Sequence, residues 1–244
     1  MIALAGRAAL VTGASSGIGR AVAALLAAEG CRLVLSGRSM ERLRATADAC
    51  RAAPAPKLCA GDLTDEAARG ALADGVAEAC PAGLDILVHC AAELRHGTID
   101  AVSVDDFRRI LEVNAVASFA LLQRFSPVLR ADSSVVLLNS SHGVAAPAGV
   151  GPYAASKHAL RALTEAFRAE VNARGIRVTA IYCGKTATPM QRRIYAERGE
   201  TARYDAISDE ILQPEDVAAA ILATIVLPAR AEITDLYLRP ARKT

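Results

Sequence analysis

Short runs of unbroken apolar residues alternate along the chain with longer stretches whose apolar positions recur every three to four residues. The first run, Ala8-Ala9-Leu10-Val11, ends in a glycine turn. From 17 to 29 the spacing of Ile18, Val22, Leu25 and Leu26 predicts a helix with one buried face, closed by Gly30. Residues 32–35 then read as a strand and 40–51 as a helix, and Pro54-Ala55-Pro56 turns the chain into a strand at 58–60. A helix over 65–80, capped by Thr64, leads to a strand at 85–88. Residues 104–130 are predicted mostly helical, 134–138 a strand, 153–174 a helix ended by Gly175, and 177–181 a strand. A helix near 215–225 and a strand at 233–238 finish the pattern.

Strands without polar alternation are expected where helices cover both faces of a sheet. Repeated strand–helix units call for right-handed crossovers and parallel pairing. The chain therefore reads as one doubly wound α/β domain over 1–244, with a parallel sheet of about seven strands. No linker or internal repeat divides it. Segment 185–213 stands out as an insertion suited to covering a substrate.

Composition narrows the function. The 28 basic and 26 acidic side chains leave +2, which argues against nucleic-acid binding, since that needs a basic face. Apolar residues make up 52% of the chain, which excludes disorder. Aromatics are only 4% and Trp is absent, so the core is one of Ala and aliphatic side chains, suited to close helix-on-sheet packing. The six cysteines are scattered, with neither disulfide nor zinc spacing; buried thiols in a reducing cytoplasm are expected, and no metal. Arg7 interrupts the N-terminal apolar stretch, which speaks against a secretory signal. The longest apolar run, 217–229, is too short to span a bilayer.

Three features carry chemistry. Thr12-Gly13-Ala14-Ser15-Ser16-Gly17-Ile18-Gly19 sits between the first strand and the first helix. Its glycines let backbone approach a pyrophosphate, and the helix N-terminus supplies N–H groups and a positive dipole. Next, the second strand ends in Arg38, where an acidic residue would be expected for a ribose 2′-hydroxyl; a guanidinium suits a 2′-phosphate and points to NADP(H) rather than NAD. Finally, Tyr153 and Lys157 share one helix face, where a nearby ammonium would lower the phenol from about 10 toward neutrality for proton transfer. Ser140, thirteen residues upstream at a strand end, is placed to hold the same substrate oxygen, with Ser141 as the alternative. Glu93 and Tyr182 are further candidates for substrate contact, and the arginines of the 185–213 segment leave an anion-binding side open.

Taken in order, these motifs resemble the short-chain dehydrogenases/reductases, from about residue 5 to 190. The matches are the 12–19 turn, Asp62-Leu63, Asn114, Ser140 and Tyr153-Ala154-Ala155-Ser156-Lys157. The resemblance implies a Rossmann fold and a catalytic set of Asn114, Ser140, Tyr153 and Lys157. Tyr153 would be the acid/base, Ser140 would polarise the carbonyl, Lys157 would also hold the nicotinamide ribose, and Asn114 would hold a water of a proton relay. Cofactor contacts would come from Gly13, Ser15, Ser16, Gly17, Ile18, Gly19, Arg38, Asp62, Leu63, Ala91, Gly184 and Thr188. Implied, too, is a homodimer or homotetramer acting on a small carbonyl or alcohol, with no nucleic-acid or membrane partner. Two departures stand out: His89-Cys90-Ala91-Ala92 replaces the family's Asn-Asn-Ala-Gly, and Cys183-Gly184 replaces its Pro-Gly. They leave room for a second role, a non-catalytic NADP-binding sensor or scaffold. An acyl-carrier ketoreductase is a rival within the enzyme class.

Overall fold

In the computed structural model, which describes residues 2–50 and 54–242, strands and helices alternate from the start. The order is β1 (Ala8–Thr12), α1 (Gly17–Ala28), β2 (Arg32–Gly37), α2 (Met40–Cys50), β3 (Lys57–Ala60), α3 (Glu66–Ala79) and β4 (Leu84–His89). Helix α4 (Val104–Leu111) passes through a π turn, Glu112–Val116, into α5 (Ala117–Phe125). Then come β5 (Leu129–Ser140), α6 (Gly151–Val171), β6 (Arg177–Cys183), α7 (Pro189–Glu197), α8 (Thr201–Ile207), α9 (Pro214–Ile225) and β7 (Asp235–Leu238).

The seven strands form one sheet in the order β3-β2-β1-β4-β5-β6-β7, and every pairing is parallel. Strand periodicity divides its side chains between two cores. In β1, Ala9 and Val11 join the core under α1, α2 and α9, while Ala8 and Leu10 join the one under α3, α5 and α6. All four are fully buried. This is the doubly wound Rossmann architecture. Strand order reverses on either side of β1, between β2 and β4, and opens a crevice at the carboxyl ends of the strands.

Several boundaries depart from the sequence reading, each for a local reason. Asp65, not Thr64, caps α3: its carboxylate accepts from Ala67 N at 3.0 Å, because the Thr64 hydroxyl donates to Asp62 instead. The helix expected over 104–130 ends at Phe125; Ser126-Pro127-Val128 form a single 3-10 turn, and β5 starts at Leu129. Helix α6 starts two residues earlier than expected, with Pro152 in its first turn, and ends at Val171, the last residues to Arg174 tightening into a 3-10 turn before Gly175. Strand β7 begins at Asp235, not 233, and the end of the helix expected over 40–51 lies outside the described residues.

Candidate active site

In the turn after β1, Ala14 N donates to Ser36 O at 2.9 Å and ties the turn to β2. Thr46 Oγ donates to Ala14 O at 2.9 Å and Arg20 donates to Ser15 O at 3.0 Å, so protein groups engage the carbonyls of the turn. Ser16, the α1 N-cap residue, makes no side-chain cap, leaving the first N–H groups of the helix without that partner. Gly13 has φ +67°, and a Cβ on it would lie 2.7 Å from Ala91 N; a Cβ on Gly19 would lie 2.3 Å from Gly13 O. The close packing leaves a cradle of bare backbone, which fits a pyrophosphate.

At the far end of the crevice Tyr153, Lys157 and Ser140 come together, all buried. The Ser140 hydroxyl, which accepts from His142 N at 3.2 Å, is near enough to Tyr153 to draw its phenol down. Lys157 Nζ donates to Leu138 O at 3.0 Å and lies 5.9 Å from the Tyr153 ring centroid. Asn139 fixes the register of strand against helix, donating to Lys157 O at 3.2 Å. Lys157 was expected to draw the phenol down. In the protein alone burial wins: it pushes Tyr153 up, with Cys183 adding to the effect and the Ser140 hydroxyl opposing it. Burial equally pushes Lys157 down to about 8.

Asn114 sits in the π turn with its amide fully engaged. Oδ1 accepts from Glu93 N at 2.8 Å, while Nδ2 donates to Glu93 O at 2.7 Å and to Ser156 Oγ at 3.0 Å. It thus staples the loop after β4 to α6. The altered His89-Cys90 sequence is accommodated in the same region. Cys90 N donates to Thr12 O at 3.2 Å, so a backbone contact between this loop and β1 is in place. Both ring nitrogens of His89 are used, Nδ1 with Thr12 Oγ at 2.7 Å and Nε2 with Ser118 Oγ at 2.9 Å. Ser118 Oγ donates to Asn114 O, so it accepts from His89, and the proton belongs on Nε2. Burial, with the Lys157 charge adding, pushes His89 down to about 3 and keeps it neutral. Cys183-Gly184 is held without proline by Gly184 N donating to Leu238 O at 2.7 Å. Burial raises both Cys90, to about 12, and Cys183, so neither thiol is primed to react.

One cavity of about 720 Å³ joins these parts. Of the expected cofactor residues, Gly13, Ser15, Ser16, Gly17, Ile18, Gly19, Arg38, Asp62, Leu63, Ala91, Gly184 and Thr188 all line it, as does Ser141. Two candidates do not. Tyr182 pairs with Asn139, one residue out of step with the Ser140–Cys183 pair, so it faces the opposite side of the sheet and stacks on Tyr237 at 4.6 Å. Glu93 is turned into ion pairs with Arg109 and Arg95. Asp62 lines the cavity, but Arg109 donates to it at 2.6 Å, and its hydrogen bonds to Thr64 and Arg109 outweigh burial and hold it down at about 2. Sequence reasoning missed Arg42 and Arg109, which also line the cavity. The four-residue step from Arg38 was a signal for Arg42; Arg109 has none, since its partner lies 47 residues away. Among the described residues no three His, Cys, Asp or Glu cluster to hold a metal, and no helix is long and apolar enough to cross a membrane.

Known proteins share this fold. The short chain dehydrogenase family model matches residues 7–199. A glycine betaine reductase of Emericella nidulans is 32% identical over 97% of this chain, which spans only 19% of that longer protein. A short chain dehydrogenase of Burkholderia cenocepacia, crystallised with NADP, is 32% identical with a TM-score of 0.86, covering 97% of this chain and 98% of its own. Another, of Mycobacterium paratuberculosis, bound to NAD, is 26% identical with a TM-score of 0.82 and covers 97% of both. Fold, site and sequence together make this chain a member of the short-chain dehydrogenase/reductase family, oxidoreductases whose fold binds a nicotinamide cofactor.

Proposed function

We propose that the protein is an NADP(H)-dependent ketoreductase, interconverting a carbonyl and a secondary alcohol with Tyr153 as acid/base. The observation that carries this is the convergence of Tyr153, Ser140 and Lys157 in the cavity that begins at the glycine turn. The nicotinamide supplies hydride when bound. Tyr153 gives its phenolic proton to the carbonyl oxygen, Ser140 holds that oxygen, and the Lys157 ammonium steadies the phenolate left behind. The phenolate takes its proton back from the Lys157 ammonium, which is reprotonated in turn through a water held at Asn114. Arg38 and Arg42 support NADP(H): both are exposed at the cavity edge, and neither guanidinium has a hydrogen-bond or ion-pair partner among the described residues. Exposed Val104, Val116 and Phe119 on α4, the π turn and α5 support a homo-oligomer. The six free thiols support a reducing compartment, the cytoplasm.

With NADPH and a panel of ketones, Tyr153→Phe should lower kcat by about 100-fold or more, with the NADPH Kd unchanged. Arg38→Ala should raise the KM for NADPH roughly tenfold and leave that for NADH alone. Near-normal turnover in Tyr153→Phe overturns the mechanism. Tight NADPH binding without turnover of any ketone would favour the sensor or scaffold role.

A further inference from the structure

We infer that the carbonyl substrate carries a carboxylate or phosphate, seated against Arg198 and Arg203 at the outer end of the cavity. This rests on the reductase reading for where the carbonyl lies. Charge in the cavity is segregated far beyond the near-neutral chain: eight lining residues are Arg or Lys, and one, Asp62, is acidic. Arg38 and Arg42 belong to the cofactor end, Arg109 is tied to Asp62, and Lys157 is at the reacting end. The basic groups that remain come from the 185–213 segment.

Two imidazoles line the same cavity: the His142 ring meets Tyr153 edge-on at 6.0 Å, and His96 lies within range of the opposed charges of Arg198 and Glu200. Both histidines are pushed toward neutrality by burial, so they offer a substrate polar contacts. One carboxylate, Glu200, serves two guanidinium groups, Arg198 at 2.6 Å and Arg203 at 3.4 Å. Two cations on one anion leave a net positive charge, and Glu200 itself does not line the cavity. Guanidinium forks of this kind match the planar oxygens of a carboxylate or phosphate. Arg193 reaches across the mouth to Leu94 O at 3.5 Å and pairs with Glu197 at 3.4 Å, holding the segment over the loop after β4.

The test compares ketones that differ only in charge: levulinate with methyl levulinate, and dihydroxyacetone phosphate with dihydroxyacetone. Binding to the NADPH-loaded protein is read from bound-NADPH fluorescence, free of tryptophan background, and turnover is read in parallel. At least one anion should bind about tenfold more tightly than its neutral partner; which pair shows it identifies carboxylate or phosphate. The preference should fall to within twofold of unity in Arg198→Gln/Arg203→Gln, with the NADPH Kd unchanged, and should persist in Arg198→Lys, which keeps the charge. Equal binding of both members in both pairs, no binding of any, or a preference that survives the double substitution overturns the proposal. Anion preference without turnover would overturn the reductase reading and leave the anion site standing.

Discussion

Two side chains of the site are shifted in directions that keep the phenol protonated. Tyr153 is raised by burial and Lys157 is lowered to about 8, so on raising the pH Lys157 loses its proton first. Carbonyl reduction needs the neutral phenol and the charged amine together. The kcat/KM of reduction should therefore be flat below about pH 8 and fall roughly tenfold per unit above it; a pH–rate profile that rises from 8 to 10 would contradict this. His89 makes a second prediction. Its folded-state value of about 3 lies below the unfolded 6.5, so its contribution to stability is complete above pH 6.5 and is lost as the pH falls toward 3. Thermal unfolding should show wild type losing about 1 kcal/mol per pH unit between pH 6 and 5 relative to His89→Asn. Parallel curves for the two proteins would remove the buried-neutral assignment. His96 and His142 titrate in both proteins and cancel in the difference.

At the scale of elements, what could be read from the sequence was set by periodicity and what could not was set by contacts between distant segments. The order of strands and helices, the glycine turn and the Tyr153–Lys157 face follow from spacing within one segment. The π turn does not: it presents Asn114 to Glu93 and Ser156, partners 21 and 42 residues away. The facing of Tyr182 depends on which residue of β6 meets Ser140, and no property of β6 alone gives that register. Glycines test how tightly the elements close. A Cβ on Gly19 would meet the Gly13 carbonyl, whereas one on Gly70, inside α3, would meet nothing within 4 Å. Gly19→Ala should cost about 1–3 kcal/mol and weaken NADPH binding. Gly70→Ala should stabilise by about 0.5–1 kcal/mol. Denaturant midpoints for the pair check both signs.

Over the whole molecule, the exposed apolar side chains include Val104, Val116 and Phe119, brought to the surface by α4, the π turn and α5. If this face joins copies of the chain, Phe119→Asp should shift sedimentation toward a smaller species at micromolar concentration; an unchanged oligomer would place the interface elsewhere. The cavity has a different reach. Its lining starts at Gly13 and ends at Arg203, with contributions from both edges of the crevice and from α7 and α8. No contiguous fragment holds such a site, so occupancy and global folding are thermodynamically linked. A ligand held at a hundred times its Kd adds about 2.7 kcal/mol, a large share of the roughly 5–15 kcal/mol typical of a domain. The size of the cofactor pool thereby sets how often this chain opens to a protease.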